Sequence, residues 1–169
     1  LISLSSGSVI ALLLMTAVVC IVLGMGMPSG VIYVMLAVLV APALAEMGIV
    51  PIAAHMFLFY FGMLSMLTPP VCLATFAAAS IAQSNFWQTG WTGVRLSIAA
   101  YIVPFVMVFQ PEIVAQGSML AIAIVAAKCV VGVMIVSFGM AGYLFAPLAM
   151  PMRVAFSVLG IVVMLVPYT

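Results

Sequence analysis

Seven residues, Gly24-Met25-Gly26-Met27-Pro28-Ser29-Gly30, break an apolar run that would otherwise extend from about residue 9 to residue 44. Each glycine loosens the backbone, and Pro28 removes a hydrogen-bond donor and disfavours a helical Met27. The arms on either side, residues 9–23 and 31–44, are about 15 residues each, short of the roughly 20 that span a bilayer singly. Two short apolar arms joined by a broken tip predict a re-entrant hairpin. Irregular backbone at membrane depth survives only where protein buries it or where it lines a wet cavity. The tip is therefore the first candidate for a binding site.

A membrane setting follows from composition. Of 169 residues, 69% are hydrophobic and 3% charged, which no soluble domain needs. The expected class is an all-α polytopic membrane protein. A formal charge of +1 without a basic patch gives no footing for nucleic acid. Cys20, Cys72 and Cys129 lie inside apolar runs, without disulfide or metal spacing, and read as packing residues. The 15 methionines read as flexible core filler rather than metal handling.

Along the chain, Glu46 and Gly48 mark a turn after the hairpin (about 9–44), and a long apolar segment follows at about 52–82. Ser65-Met66-Leu67-Thr68-Pro69-Pro70 interrupts that segment. Two consecutive prolines remove two donors, so the carbonyls of Ser65 and Met66 lose their regular helical partners. Half-helices at 53–66 and 71–82 are expected. Residues 85–90, with Trp87 and Trp91, read as an interfacial loop and aromatic belt. Further crossings are expected at 93–109, at 119–145 and at 154–166, the last capped by Pro167-Tyr168-Thr169. Arg95 and Arg153 are separated by two crossings, so they share a side, and the positive-inside rule makes it cytoplasmic. Glu46, Glu112 and both ends of the hairpin then face the periplasm.

Two breaks in so small a domain exceed what packing requires. A half-helix N-terminus offers free N–H groups and partial positive charge to an anion, and half-helix C-termini offer carbonyls to a small hard cation. That pairing is the logic of sodium-coupled secondary transporters. The candidate ion-binding set is Gly24, Gly26, Ser65, Thr68 and Pro69; the candidate substrate-binding set is Met27, Pro28, Ser29, Gly30 and Pro70. The competing reading makes each break a packing kink satisfied by neighbouring helices. His55 reads as structural. Lys128, within an apolar helix with no acid nearby in sequence, is a functional candidate by default, with a carbonyl in the missing part of the chain as its alternative partner. No nucleophile–base pair, carboxylate pair, phosphate loop or metal cluster supports catalysis, so no enzyme is expected.

Several motifs in order carry a resemblance. The tip Gly24-Met25-Gly26-Met27-Pro28, the run Ala37-Val38-Leu39-Val40-Ala41-Pro42-Ala43-Leu44 and Ala53-Ala54-His55-Met56-Phe57 are followed by Phe59-Tyr60-Phe61, Leu67-Thr68-Pro69-Pro70-Val71, Gly90-Trp91-Thr92 and Tyr101-Ile102-Val103-Pro104-Phe105. Together they resemble the fused permease of TRAP transporters, typical of the TAXI branch, over about residues 5–112. Residues 118–169 look like the extra C-terminal helices of the fused form. The resemblance implies a sodium-driven, elevator-type importer of organic acids in a bacterial or archaeal cytoplasmic (inner) membrane, multi-pass. It implies no cofactor, with sodium as the coupling ion. The implied partners are a periplasmic substrate-binding protein, the remaining N-terminal part of the permease, a small organic acid and membrane lipid.

Residues 1–112 would be the second-repeat part of the transport domain and 113–169 additional transmembrane helices. The tip and the Thr-Pro-Pro break would lie at an ion site, which carries Gly24, Gly26, Pro28, Thr68, Pro69 and Pro70. Where the family has Thr-Thr after the tip proline, Ser29-Gly30 stand here, which keeps one hydroxyl and loses another. The chain begins Leu1-Ile2-Ser3, without an initiator Met or a basic n-region, and is expected to be a piece of a longer permease whose first inverted repeat lies elsewhere. Two other readings stay open. A proton-coupled permease would depend more on His55, Glu46 or Lys128; a channel or non-transporting scaffold would use the breaks only for packing.

Overall fold

The computed structural model describes residues 8–167, whose regular elements are helices and one pair of two-residue strands. It divides into two compact units, Leu1–Val94 and Arg95–Thr169. The first holds α1 (Val9–Gly24), α2 (Ser29–Leu39), α3 (Ala41–Glu46), α4 (Pro51–Leu64), α5 (Leu73–Ile81) and most of α6 (Phe86–Leu96). The second holds α7 (Ile98–Phe109), a 3-10 turn (Pro111–Val114), α8 (Met119–Ala141), β1 (Tyr143–Leu144), β2 (Ala146–Pro147) and α9 (Met150–Leu165). The expected ends near residue 7 and at Tyr168-Thr169 lie outside the described residues.

In the first unit α4 is the centre, and both α1 and α2 pack on it. α1 starts where the Ser8 hydroxyl accepts from the Ala11 N–H, and it buries Leu12, Leu13, Ala17 and Cys20. α4 buries Phe57, Leu58 and Phe61. α2 lays Ile32 and Leu36 across Gly62, where a β-carbon would stand 2.9 Å from Ile32 Cγ2. Only glycine permits that approach. The outer side of α1 is just as apolar, for Ile10, Leu14, Val18 and Val22 recur every fourth residue and are all more than half exposed. A helix apolar all round belongs in lipid or inside a larger assembly.

The second arm of the hairpin is not continuous to residue 44. It stops at Leu39 and resumes as α3 at Ala41, because Pro42 in the first turn of α3 cannot donate to the carbonyl of Val38. Between α4 and α5 the chain leaves helix over residues 65–72, close to the expected half-helices, and the Pro69–Pro70 peptide is cis. The segment 85–90 is helix, not loop. Asn85 caps it, its side-chain oxygen accepting from the Gln88 N–H at 3.1 Å and its carbonyl from the Thr89 N–H at 2.9 Å. The run Phe86–Phe109 and α8 are each long and apolar enough to cross a membrane, while α1, α2, α4 and α9 are shorter apolar helices.

α8 ends at Ala141, short of the expected residue 145. Gly142, at φ 74°, turns left-handed and donates to the Phe138 carbonyl at 2.9 Å, a glycine stop for the helix. α9 begins at Met150 rather than residue 154, because Pro151 fits the first turn of a helix, where its missing N–H costs nothing.

The second unit buries Ala99, Val106, Cys129, Val136 and Met164 together. α8 and α9 pack closely along a seam of small residues: a β-carbon on Gly160 would sit 2.7 Å from the Gly132 carbonyl oxygen and 2.6 Å from Val136 Cγ2. Close backbone approach between apolar helices is how membrane helices gain contact without a solvent-driven force. Gly160→Ala should therefore cost about 1–3 kcal/mol and Gly160→Val more, read as a lowered thermal midpoint in detergent. An unchanged midpoint for Gly160→Val would show that the seam yields freely.

Candidate functional site

The tip of the hairpin is a four-residue reversal. α1 ends at Gly24, Met25 is extended, Gly26 turns left-handed at φ 81°, and Pro28 is the N-cap residue of α2. α2 starts at Ser29, two residues earlier than the 31–44 arm, so Ser29 and Gly30 form its first turn. Their N–H groups are among those a helix leaves without internal partners. Gly26, Pro28 and Gly30 are exposed, Met27 and Ser29 half-buried.

The break after α4 is closed by its own hydroxyls. Ser65 is buried, and its Oγ donates to the Gly62 carbonyl at 2.6 Å. Thr68 Oγ1 donates to the Leu64 carbonyl at 2.7 Å, which also receives the Thr68 N–H at 3.1 Å. The Ser65 carbonyl takes the Thr68 N–H at 3.3 Å, and the Met66 carbonyl takes the Ala74 N–H from α5 at 3.1 Å. The two carbonyls deprived of proline donors thus find others. Each keeps a second lone pair. Cys72, buried at φ 22°, sets the entry to α5, and Thr75 Oγ1 donates back to its carbonyl at 3.0 Å.

The two interruptions meet. A β-carbon on Gly24 would lie 2.6 Å from Ser65 Oγ and 3.1 Å from the Gly62 carbonyl oxygen, so the last residue of α1 rests directly on the end of α4. Gly24 and Ser65 are therefore brought together, with Thr68 one turn further along. Gly26 and Gly30 stand clear, with nothing within 4 Å of where a β-carbon would project. Pro69 lies under α6, 3.3 Å from the β-carbon position of Gly90. Pro70 is exposed beside it. Gly62 has no place in the sequence-based reading, and Gly90 enters it only as part of a motif and a loop end. An isolated glycine in a helix costs about 1 kcal/mol against alanine, and that is the signal that points to both as close contacts.

Flanking α4 and the break is an apolar cleft of about 470 Å³, lined by Met56, Phe59, Tyr60, Met63, Met66 and Leu67. His55 shares a hydrogen bond of 3.1 Å with the Tyr33 hydroxyl, joining α4 to α2, and Tyr33 meets Phe59 edge to face. Lys128 has partners at the end of α9. Its Nζ donates to Gln110 Oε1 at 2.7 Å and to the Val166 carbonyl, while Gln110 Nε2 donates to the Met164 carbonyl at 2.9 Å. An ammonium and an amide together satisfy carbonyls that the last turn of α9 leaves open.

Membrane-length apolar helices fit a class, that of predominantly helical membrane proteins. Residues 1–122 match the family described as Tripartite ATP-independent periplasmic transporter, DctM component, and the chain belongs to it. It is a permease component of a TRAP transporter. Searches of curated proteins and of solved structures found no match. The family match ends in the first turn of α8, so α9 lies outside it.

Two outcomes are expected. Gly24→Ala should reduce membrane abundance, because its methyl collides with Ser65, and Gly24→Ala/Ser65→Gly should restore it by removing the opposing atoms. Failure of the double variant to recover would place the cost elsewhere. Lys128→Met should lower stability by about 1–3 kcal/mol for the lost hydrogen bonds, read as a lowered thermal midpoint, while uptake per folded molecule stays within about twofold, since Gln110 still caps Met164.

Proposed function

We propose that this TRAP permease component imports a small organic acid by sodium symport, and that the contact between the hairpin tip and the α4–α5 break is where ion and substrate are coupled. The observation that carries the reading is the seating of Gly24 on Ser65 and Gly62. Sodium prefers oxygen donors, and the junction collects carbonyls with spare lone pairs and the hydroxyls of Ser65 and Thr68. A bound cation would draw together Gly24, Gly26, Ser65, Thr68 and the backbone at Pro69. The N-terminus of α2, with Met27, Pro28, Ser29 and Gly30, would take the substrate carboxylate together with Pro70. No arginine lies in the tip or the break, so backbone N–H groups and the Ser29 hydroxyl would do that work.

On this reading the hairpin is re-entrant from the periplasmic side of the inner membrane, and its unit moves as part of an elevator-type transport domain. A periplasmic substrate-binding protein delivers the acid, and the chain works with the N-terminal part of a fused, TAXI-type permease. The Tyr33–His55 hydrogen bond favours a second reading, proton coupling through the chain's single histidine.

The test is uptake against sodium concentration at clamped pH, with membrane abundance as the folding control. Thr68→Val keeps the shape and loses the hydroxyl, and should raise the sodium concentration for half-maximal uptake about fivefold to tenfold. Gly26→Val should be worse, through backbone strain at φ 81° rather than collision. Unchanged sodium curves for both would remove the ion site from these breaks. Uptake that follows pH and ignores sodium would establish the second reading.

A further inference from the structure

Arg95 and Arg153 converge on one end of α8. Arg95 donates from Nε and Nη2 to the Met140 carbonyl at 3.0 and 2.7 Å. Arg153 donates from Nε to the Gly139 carbonyl at 3.3 Å and from Nη2 to the same Met140 oxygen at 3.4 Å. The two guanidiniums are thus held within two hydrogen-bond lengths of each other. Gly142 makes room for the second, because a β-carbon there would stand 2.7 Å from Arg153 Nε.

Capping does not account for this arrangement. The C-terminus of α8 carries roughly half a negative charge, against two full positive ones, and Arg95 alone already caps Met140 twice. The chain has two acids in all. Glu112 lies beside Gly117, before the other end of α8, about 30 Å away along the helix. Glu46 belongs to the other unit. Each guanidinium has five N–H donors and spends two here, which leaves three apiece and an unneutralised pair of charges.

The surroundings fit one kind of anion. α8 is long enough to cross the hydrocarbon, so this end stands at head-group level. The chain reversal beside it carries Tyr143 and Phe145, the latter 95% exposed, as interfacial aromatics do. Next to Arg153 opens a cleft of about 270 Å³, lined by Met140, Met150, Val154, Ser157 and Val158. Val154, Val158 and Val162 form an exposed stripe along α9 leading away from the arginines. We propose that Arg95 and Arg153 form a binding site for the phosphate of an anionic phospholipid, its acyl chains lying along the Val154–Val158–Val162 stripe. The phosphate bridges the two guanidiniums and relieves their repulsion, and the α8 carbonyls keep both side chains in place before it arrives.

The experiment is native mass spectrometry of the purified full-length protein, titrated with phosphatidylglycerol, with phosphatidylcholine and with inorganic phosphate. The wild type should retain phosphatidylglycerol about tenfold or more in preference to phosphatidylcholine, at roughly 1 kcal/mol per arginine. Arg95→Gln/Arg153→Gln should bring the preference to about twofold or less. If the double variant does not fold, Arg95→Gln alone should cut the preference about fivefold, since Arg153 still caps α8. No preference in the wild type, or an undiminished one in Arg95→Gln, overturns the site. Displacement of phosphatidylglycerol by millimolar inorganic phosphate would assign the pair to free phosphate and overturn the lipid.

Discussion

Backbone that leaves a helix inside a membrane must find its hydrogen bonds within the protein, because lipid supplies none. Three helix C-termini of this chain are closed by the chain's own side chains. The end of α4 is closed by Ser65 and Thr68, whose hydroxyls turn back onto the Gly62 and Leu64 carbonyls. The end of α9 is closed by Lys128 and Gln110, and that of α8 by Arg95 and Arg153. All three of the chain's Lys and Arg residues serve helix C-termini. Ser65, Thr68, Gln110, Lys128, Arg95 and Arg153 all turn their polar groups to places where helices stop.

Much of the plan was legible because helix breakers act locally. Gly24 to Gly30 and Pro69-Pro70 announce their interruptions wherever the chain goes, and the observed gaps lie within a few residues of the expected ones. Capping was legible in principle and was missed. Asn85 begins α6 and Gly142 ends α8 through hydrogen bonds that need only near neighbours in sequence. Pro42 was read as part of an arm end, although its missing donor splits that arm.

The candidate site was legible only in its parts. Each break could be named from the sequence, but their meeting depends on Gly24 facing Ser65 across about 40 residues, and on Gly62 letting α2 close onto α4. Nothing local encodes such pairings. Lys128 illustrates the same limit: its partners, Gln110 and Val166, lie 18 and 38 residues away. The unit boundary at Val94 and Arg95 likewise reflects packing, whereas the family match runs on to residue 122.

The placement of Lys128 bears on how the protein is made. Its ammonium sits in the body of α8, yet one of its partners is the Val166 carbonyl at the far end of α9, which the ribosome supplies 38 residues later. Until then α8 would enter the bilayer with its charge met by Gln110 alone. A lone cation at that depth is costly to insert. The glycine seam lets α8 and α9 close on each other at once, so the two helices are suited to leave the translocation machinery as a paired hairpin, α9 bringing the carbonyl that α8 requires.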